Sequence, residues 1–467
     1  MGVTLETYTA IIGTMLAGIA FGTWCGGYAA DRAEPRRLLG PLLVAGGVMA
    51  MASVPLVRYA GERLSGSTGL SVIGLAFVAF FLPAAVLSAV SPTVVKLQLR
   101  DLGATGRVVG RLSALGTAGA IGGTFLAGFV LIELAPTSTT VLVVGGLFVV
   151  AGLALGIGLA PGTGHRAVSP VVVVLALVGS GVAVVAAGAG GDRCQTETTY
   201  HCVRVEPDPR RAGGRLLVLD TLHHSYVDLD NPTYLEFRYA RLFADAIGAV
   251  APADGPLDVL HIGGGGFTFP RWVRAVRPGS SSVVLEIDPG LVTVAVERLG
   301  LVTEPGIDVR TGDARTLMDG LEPGRFDVAL GDAFGGLAVP WHLTTVEFVR
   351  SVKSRLRPGG AYVLNVIDWP PARFARAEVA TLAAVFDHVA MVVPPSYAEG
   401  DQGGNFVLVA SDRPIDGAAI TRAVGARQGG EVVVEGPQLR DFTAGAPVLT
   451  DDQAPVDQWL ARARRDG

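Results

Sequence analysis

Charge is scarce in this 467-residue chain: Asp, Glu, Lys and Arg make up 17% of it, and residues 1–190 hold ten basic and six acidic side chains, net +4. Residues 191–467 carry 27 basic and 36 acidic side chains, net −9. That acidity argues against a nucleic-acid partner, which would require a basic face. Cysteine is nearly absent, with three residues, which excludes a disulfide-dense scaffold. Cys25 lies inside an apolar run, whereas Cys194 and Cys202 frame "CQTETTYHC". That spacing leaves a disulfide and free thiols both open; a metal is the weaker alternative, because only His201 accompanies the pair.

Long apolar runs are plentiful instead. Six of them, near 8–30, 38–57, 70–95, 108–132, 139–160 and 168–190, reach the roughly 20 residues a bilayer-spanning helix needs. A cleaved signal peptide explains the first poorly, since five more follow. The chain is expected to be a multi-pass integral protein of the plasma membrane, with the lipid bilayer as its first partner. Glu133 and Lys96 lie near span ends, where they can snorkel to the interface. Arg32, Arg36, Arg37, Lys96, Arg100, Arg107, Arg111 and Arg166 fall in the odd loops, against Arg58 and Arg63 in the even ones. Odd loops then face the cytoplasm. Six spans put the C-terminal part outside, and an odd number would put it inside.

The loop "GGYAADRAEPRR" resembles the G-x-x-x-D-R-x-x-x-R-R loop of major facilitator transporters through Gly27, Asp31, Arg32, Arg36 and Arg37. Six spans amount to half such a transporter.

From about residue 200 the pattern changes. "YHCVRVEPD" and "GRLLVLDTLHHSYVDL" alternate apolar and polar residues around a turn, which predicts a β-hairpin region over 191–235. Short apolar strands then alternate with helical stretches over 236–445, the pattern of a Rossmann-like, methyltransferase-type α/β domain. A polar tail covers 446–467. The fold class expected is thus multi-domain: an N-terminal all-α transmembrane helix bundle, a small β-hairpin region and the α/β domain. His223 and His224 are neighbours on a strand, point to opposite faces and do not share a metal.

The glycines of "LDVLHIGGGGFTFPRWV" lie between a strand and a helix, where backbone can approach a ligand closely. "VVLEID" ends the next strand with Glu286 and Asp288, placed to accept from ribose hydroxyls. "RTGDA" supplies Asp313 and "ALGDAF" supplies Asp332 at the ends of the following two strands. Carboxylates at three successive strand ends define one ligand-binding edge. NAD competes, but Asp313 fits an S-adenosyl-type ligand better.

In order, "LLVLDTLHHSYVDLDNPTYLE", "IGGGG", "LEID", "GDA", "GDAF" and "PPSYAEGDQGGNFVLVAS" resemble the spermidine synthase (polyamine aminopropyltransferase) family. With the membrane part, the chain is similar to fused transporter–spermidine synthase proteins. The resemblance implies aminopropyl transfer from decarboxylated S-adenosylmethionine to an amine, a step of polyamine biosynthesis. It implies no tightly bound cofactor, a nucleoside donor and an amine acceptor as small-molecule partners, and a homodimer. Gly263, Gly264, Gly265, Glu286, Asp288, Asp313 and Ala314 would hold the donor. Asp332 would be the general base, and His224, Asp230, Tyr234, Glu236 and Tyr397 would line the amine side. Asp220 also falls within the matching stretch.

Three positions depart from the family pattern: the donor-ammonium aspartate is Gly266, a second aspartate is Gly335, and the gate histidine or glutamine is Leu235. A diamine in a partly dry pocket needs compensating charge. An S-adenosylmethionine-dependent methyltransferase, or a non-catalytic nucleoside or polyamine sensor on a half-transporter, are the alternatives these losses open.

Overall fold

A single chain segment in apolar surroundings satisfies its own backbone groups as a helix, and the apolar runs described in the first part of the chain are helical. The structure, a computed structural model, describes residues 5–63, 69–99, 101, 103, 105–131, 135–158, 179, 194–303, 305–336 and 338–460. It falls into two compact units, Val3–Thr199 and Tyr200–Gly467. Among the described residues of the first unit, five helices are long and apolar enough to cross a membrane: Thr9–Arg32, Pro35–Ala60, Ile73–Gln98, Thr105–Leu131 and Thr137–Gly156. They coincide with five of the six expected spans; the sixth, 168–190, lies outside the described residues apart from Gly179.

Small residues let these helices touch backbone to backbone. A Cβ on Gly40 would sit 2.8 Å from the Gly152 carbonyl oxygen, and one on Gly22 would overlap the carbonyl of Ala85. Lys96, expected to snorkel at the interface, pairs with Asp31 at 2.7 Å, joining the ends of the first and third of these helices. Glu133 lies outside the described residues. Glu197 pairs with Arg58, near the end of the second helix, and accepts from the backbone N–H of Ser138 at the start of the fifth, 3.2 Å away.

The second unit opens with an antiparallel meander, β1 (Cys202–Pro207), β2 (Gly214–Leu219) and β3 (Leu222–Asp228). A register shift between Leu217 and Val218 leaves His224 unpaired in the β2–β3 ladder. The main sheet follows: β4 (Asp258–Ile262), β5 (Ser281–Glu286), β6 (Ile307–Thr311), β7 (Phe326–Gly331), β8 (Leu356–Asp368), β9 (His388–Val393), β10 (Gly404–Ser411) and β11 (Val432–Glu435). Its order is β11-β9-β10-β8-β7-β4-β5-β6. Strands β8, β7, β4, β5 and β6 run parallel to one another, while β10 pairs antiparallel with β8 and β9, and β9 antiparallel with β11.

Side chains alternate across this sheet. Val259 joins Phe243 and Ile247 of the helix Arg238–Val250 on one face. Leu260 and Ile262 join Phe348, Val352 and Phe374 of the helices Val346–Arg355 and Arg373–Ala383 on the other. Helices on both faces leave the carboxyl ends of the parallel strands as the open edge, where ligands of such sheets bind.

Candidate active site

Strand order decides what this edge holds. Because β7, β4, β5 and β6 are adjacent and parallel, Asp332, Gly263, Glu286 and Asp313 follow one another along it. Backbone hydrogen bonds continue the ladders past the strand ends: Asp332 N–H to Ile262 O at 2.9 Å, Gly263 N–H to Leu285 O at 2.9 Å and Gly312 N–H to Glu286 O at 2.9 Å. Gly263 has φ +94° and packs so closely on the Asp332 carbonyl that a Cβ would lie 2.6 Å from its oxygen. Glycine is required there by both conformation and space.

Glu286 is buried and accepts from the N–H groups of Gly264 (2.8 Å), Gly265 (3.2 Å) and Asp288 (2.9 Å). Burial pushes its carboxyl up, against the pull of those three donors. The glycine loop is therefore tied directly to the expected ribose carboxylate. Asp288 is fully buried and caps the helix Pro289–Arg298, accepting from Gly290 N–H at 2.9 Å and Leu291 N–H at 3.3 Å. That commitment explains its presence as an N-cap. Asp313 likewise caps Ala314–Met318, accepting from Arg315 N–H at 2.9 Å, while its other oxygen lies 2.8 Å from His342 Nε2. Ala314 is buried at the start of that turn.

Asp332 is bound from two sides. Tyr239 donates to Oδ2 at 3.0 Å and Asn365 Nδ2 donates to Oδ1 at 2.9 Å. Asn365 Oδ1 in turn accepts from Asn405 Nδ2 at 3.0 Å, so the amide orientation is fixed by a chain across β10, β8 and β7. Burial pushes the Asp332 carboxyl up to about 6, opposed by its two donors. Asp332 lines a cleft open to solvent, together with Tyr239, Ser225, Gly263, Gly264 and His261. His261 contacts Ser282 Oγ at 3.0 Å, and burial lowers it to about 3, so it is neutral and no competing base.

Phe267 accounts for the departure that follows the glycines. It adopts φ +55°, which costs about 1–2 kcal/mol for a side-chain-bearing residue. Its ring is fully buried against Val227, Leu219, Val284 and Leu291, which returns about 1.5–3 kcal/mol. The ring therefore belongs to the apolar layer and is not among the residues lining the cleft. Gly266 is enclosed as well. Its N–H donates to Ser225 Oγ at 3.0 Å, and a Cβ there would lie 2.8 Å from Ser225 Cβ. A carboxylate at 266 is thus excluded by space as well as missing from the sequence.

The residues expected on the amine side do not line that cleft. Tyr234 donates to Glu236 and lies beneath the Arg211 guanidinium, 3.7 Å from ring centroid to Cζ. Glu236 also accepts from Arg210 at 3.4 Å, and Arg211 pairs with Asp228 at 3.0 Å. Of the acids expected on the amine side, Glu236 is thus paired with an internal cation. Asp230 is exposed beside the same turn, its N–H donating to Asp228 Oδ1 at 3.0 Å. Tyr397 packs on Phe406 with ring centroids 5.5 Å apart. His224 is half-buried between His201 (6.4 Å) and Phe334 (6.5 Å), and burial lowers it to about 4. Asp220, at φ +57°, accepts from Cys202 N–H at 3.0 Å and contacts His201 Nδ1 at 3.3 Å. Cys194 and Cys202 are both in disulfide linkage and Cys25 is free.

Sequence reading passed over Tyr239, Asn365, Asn405 and Ser225. Asn365 and Asn405 carried a signal, since Asn365 interrupts the apolar run "YVLNVI" and Asn405 directly precedes "FVLVA".

No protein-family model matches the chain. The chain is 32% identical over 142 residues to a polyamine aminopropyltransferase of Chromobacterium violaceum, a match covering 30% of this chain and 53% of that protein. It is 33% identical over 133 residues to a polyamine aminopropyltransferase of Vibrio vulnificus, covering 28% and 44% respectively. It thus spans about half the length of these curated relatives. The solved structure of a probable spermidine synthase from Corynebacterium glutamicum superposes with a TM-score of 0.52 at 31% identity, covering 55% of this chain. Because 95% of that Corynebacterium chain is covered at this identity, the chain belongs to the spermidine synthase (polyamine aminopropyltransferase) family.

Proposed function

We propose that the protein is a membrane-anchored transferase that moves an aminopropyl group from decarboxylated S-adenosylmethionine to a polyamine-type amine. The observation that carries this reading is Asp332: a carboxyl in the cleft beside the glycine loop, held by two donors and titrating near 6. An alkylammonium is no nucleophile until it loses a proton, and a carboxylate with a raised pKa takes that proton near neutrality. The freed amine nitrogen attacks the aminopropyl carbon bonded to the sulfonium. A C–N bond forms, the C–S bond breaks with its electrons going to sulfur, and methylthioadenosine leaves. Glu286 and the N–H edge of Gly263–Gly265 would seat the nucleoside, with Asp313 toward the adenine and Ala314 beside it. Asp288, as a helix cap, would fix the loop that carries Glu286.

A second reading has its own observation. Ser225 fills the space at Gly266, so nothing there holds a cationic aminopropyl tail, and a methyl donor would suffice. Incubating the full chain in detergent with each donor and putrescine, and following methylthioadenosine against S-adenosylhomocysteine, separates the two. Methylthioadenosine release supports the first reading; S-adenosylhomocysteine alone supports the second.

The Tyr200–Gly467 unit is proposed to lie on the outer face. Spans one and three end together at the Asp31–Lys96 pair, on the side of the arginine-rich loops. Arg58 and Ser138, the partners of Glu197, lie at the opposite helix ends. The excess of Lys and Arg in the odd loops, together with six apolar runs of membrane length in the sequence, supports the outer side. The disulfide linkage of Cys194 and Cys202 suits an oxidising compartment.

A further inference from the structure

We propose that Tyr239 is a positioning residue for Asp332, holding its carboxylate in one orientation and favouring its ionised form over the pH range in which the amine must lose its proton. This rests on the reading of Asp332 as the base.

The geometry is specific. The helix Arg238–Val250 lies on one face of the sheet and presents its second residue, Tyr239, to the cleft. The phenol oxygen stands 3.0 Å from Oδ2, and Asn365 Nδ2 stands 2.9 Å from Oδ1. The carboxylate is thereby clamped between the helix layer and the sheet, with one donor on each oxygen and about two lone-pair sites left for an incoming N–H. The ring itself is steadied edge-on by Phe243, 5.9 Å between centroids at 88°. A side chain serving only as filler would not need its hydroxyl placed on a carboxylate.

Two observations say which protonation state is served. Tyr239 can only donate in this contact, because burial and the adjacent Asp332 charge push its own ionisation well above the ordinary tyrosine range. Donation to a carboxylate favours the charged form. The other titratable group lining the cleft is His261, neutral above about pH 3. His224, whose ring lies 6.5 Å from Phe334, is neutral above about pH 4. Neither supplies a cation to Asp332, so the two hydrogen bonds oppose burial alone.

The test is the pH profile of turnover by the full chain in detergent, wild type against Tyr239→Phe and Asn365→Leu. Losing a hydrogen bond to a charged group should move the acidic limb up by about one pH unit. Turnover of Tyr239→Phe at pH 6 then falls about fivefold further than its alkaline plateau does, with methylthioadenosine affinity held within about twofold. Asn365→Leu should move the limb in the same direction, which decides the matter if the tyrosine variant does not fold. A limb unmoved in the folded variants, or a loss of rate equal at every pH, overturns the proposal. If the wild type turns over neither donor, the function reading fails separately. The positioning claim is then judged by carbodiimide modification of Asp332, read by mass spectrometry across pH: its midpoint should rise in Tyr239→Phe, and an unchanged midpoint refutes it.

Discussion

Replacing Gly263 by alanine perturbs a place where the glycine loop and the strand end bearing Asp332 are in close backbone approach. The new Cβ would lie 2.6 Å from the Asp332 carbonyl oxygen, 2.9 Å from its carbon and 3.0 Å from Ala333 Cα. Neither backbone can simply yield, because Gly263 N–H is bonded to Leu285 O and Asp332 N–H to Ile262 O, each at 2.9 Å. At φ +94° the alanine also carries backbone strain of about 1–3 kcal/mol. Overpacking a closed site adds about 1–3 kcal/mol. Together these predict a loss of about 2–6 kcal/mol, and at roughly 2–4 °C per kcal/mol a fall in melting temperature of about 4–24 °C. Any relief that parts β4 from β7 also displaces Asp332, and a misplacement of about 1 Å can cost on the order of 100-fold in rate. Gly255→Ala is the control: its φ is +88°, yet nothing lies within 4 Å of its Cβ, so it isolates backbone strain and should leave turnover intact. Intrinsic-fluorescence melting and turnover of the full chain read both quantities. A Gly263→Ala protein that melts and turns over like the wild type would refute the packing argument.

Other consequences follow from the same geometry. Asp332 titrates near 6 when folded, above the ordinary value of about 3.9 when unfolded, so the stability tied to its neutral form is present below about pH 4 and is lost as pH rises through 6. Asp332→Asn should shrink the pH 4-to-7 fall in unfolding free energy by up to about 3 kcal/mol; an unchanged fall would show that the carboxyl is not raised. Glu378 is fully buried, and neither of its carboxyl oxygens has a hydrogen-bond partner among the described residues. Burial pushes it well above the usual carboxylate range. Glu378→Met should therefore stabilise by about 1–3 kcal/mol in chemical denaturation, whereas destabilisation would reveal a partner for the acid. On intact cells, an impermeant maleimide added after a thiol reductant should label Cys194 and Cys202; no labelling would place the Tyr200–Gly467 unit inside.

Much of the fold was legible because its signals are local. Apolar runs of membrane length, and short apolar strands alternating with amphipathic helices, need no distant partner to be recognised. The row of strand ends was legible for the same reason: "GGGG", "LEID", "GDA" and "GDAF" each end a strand, and parallel order brings them side by side. What stayed hidden depends on contacts far apart in the chain. Tyr239 reaches Asp332 across 93 residues, and Asn405 reaches Asn365 across 40. Helical periodicity places Tyr239 on a helix without saying that its hydroxyl would meet a carboxylate. Asp288 and Asp313 look like ligand acids in a strand-end pattern, yet both also cap the helices that follow, a use with the same signature. Gly266 reads as a lost aspartate until Ser225, from a separate sheet, is seen filling its space. Similarly, Glu236 reads as a free amine-binding acid until Arg210, 26 residues away, is found bonded to it.

Product release by the full chain in detergent tests the central claim most directly. With decarboxylated S-adenosylmethionine and putrescine, the wild type should release methylthioadenosine and an aminopropylated amine in equal amounts. Asp332→Asn should bind methylthioadenosine with wild-type affinity and turn over at least about 100-fold more slowly. Turnover by Asp332→Asn at the wild-type rate, or a wild type that binds the donor without releasing product, would contradict the account.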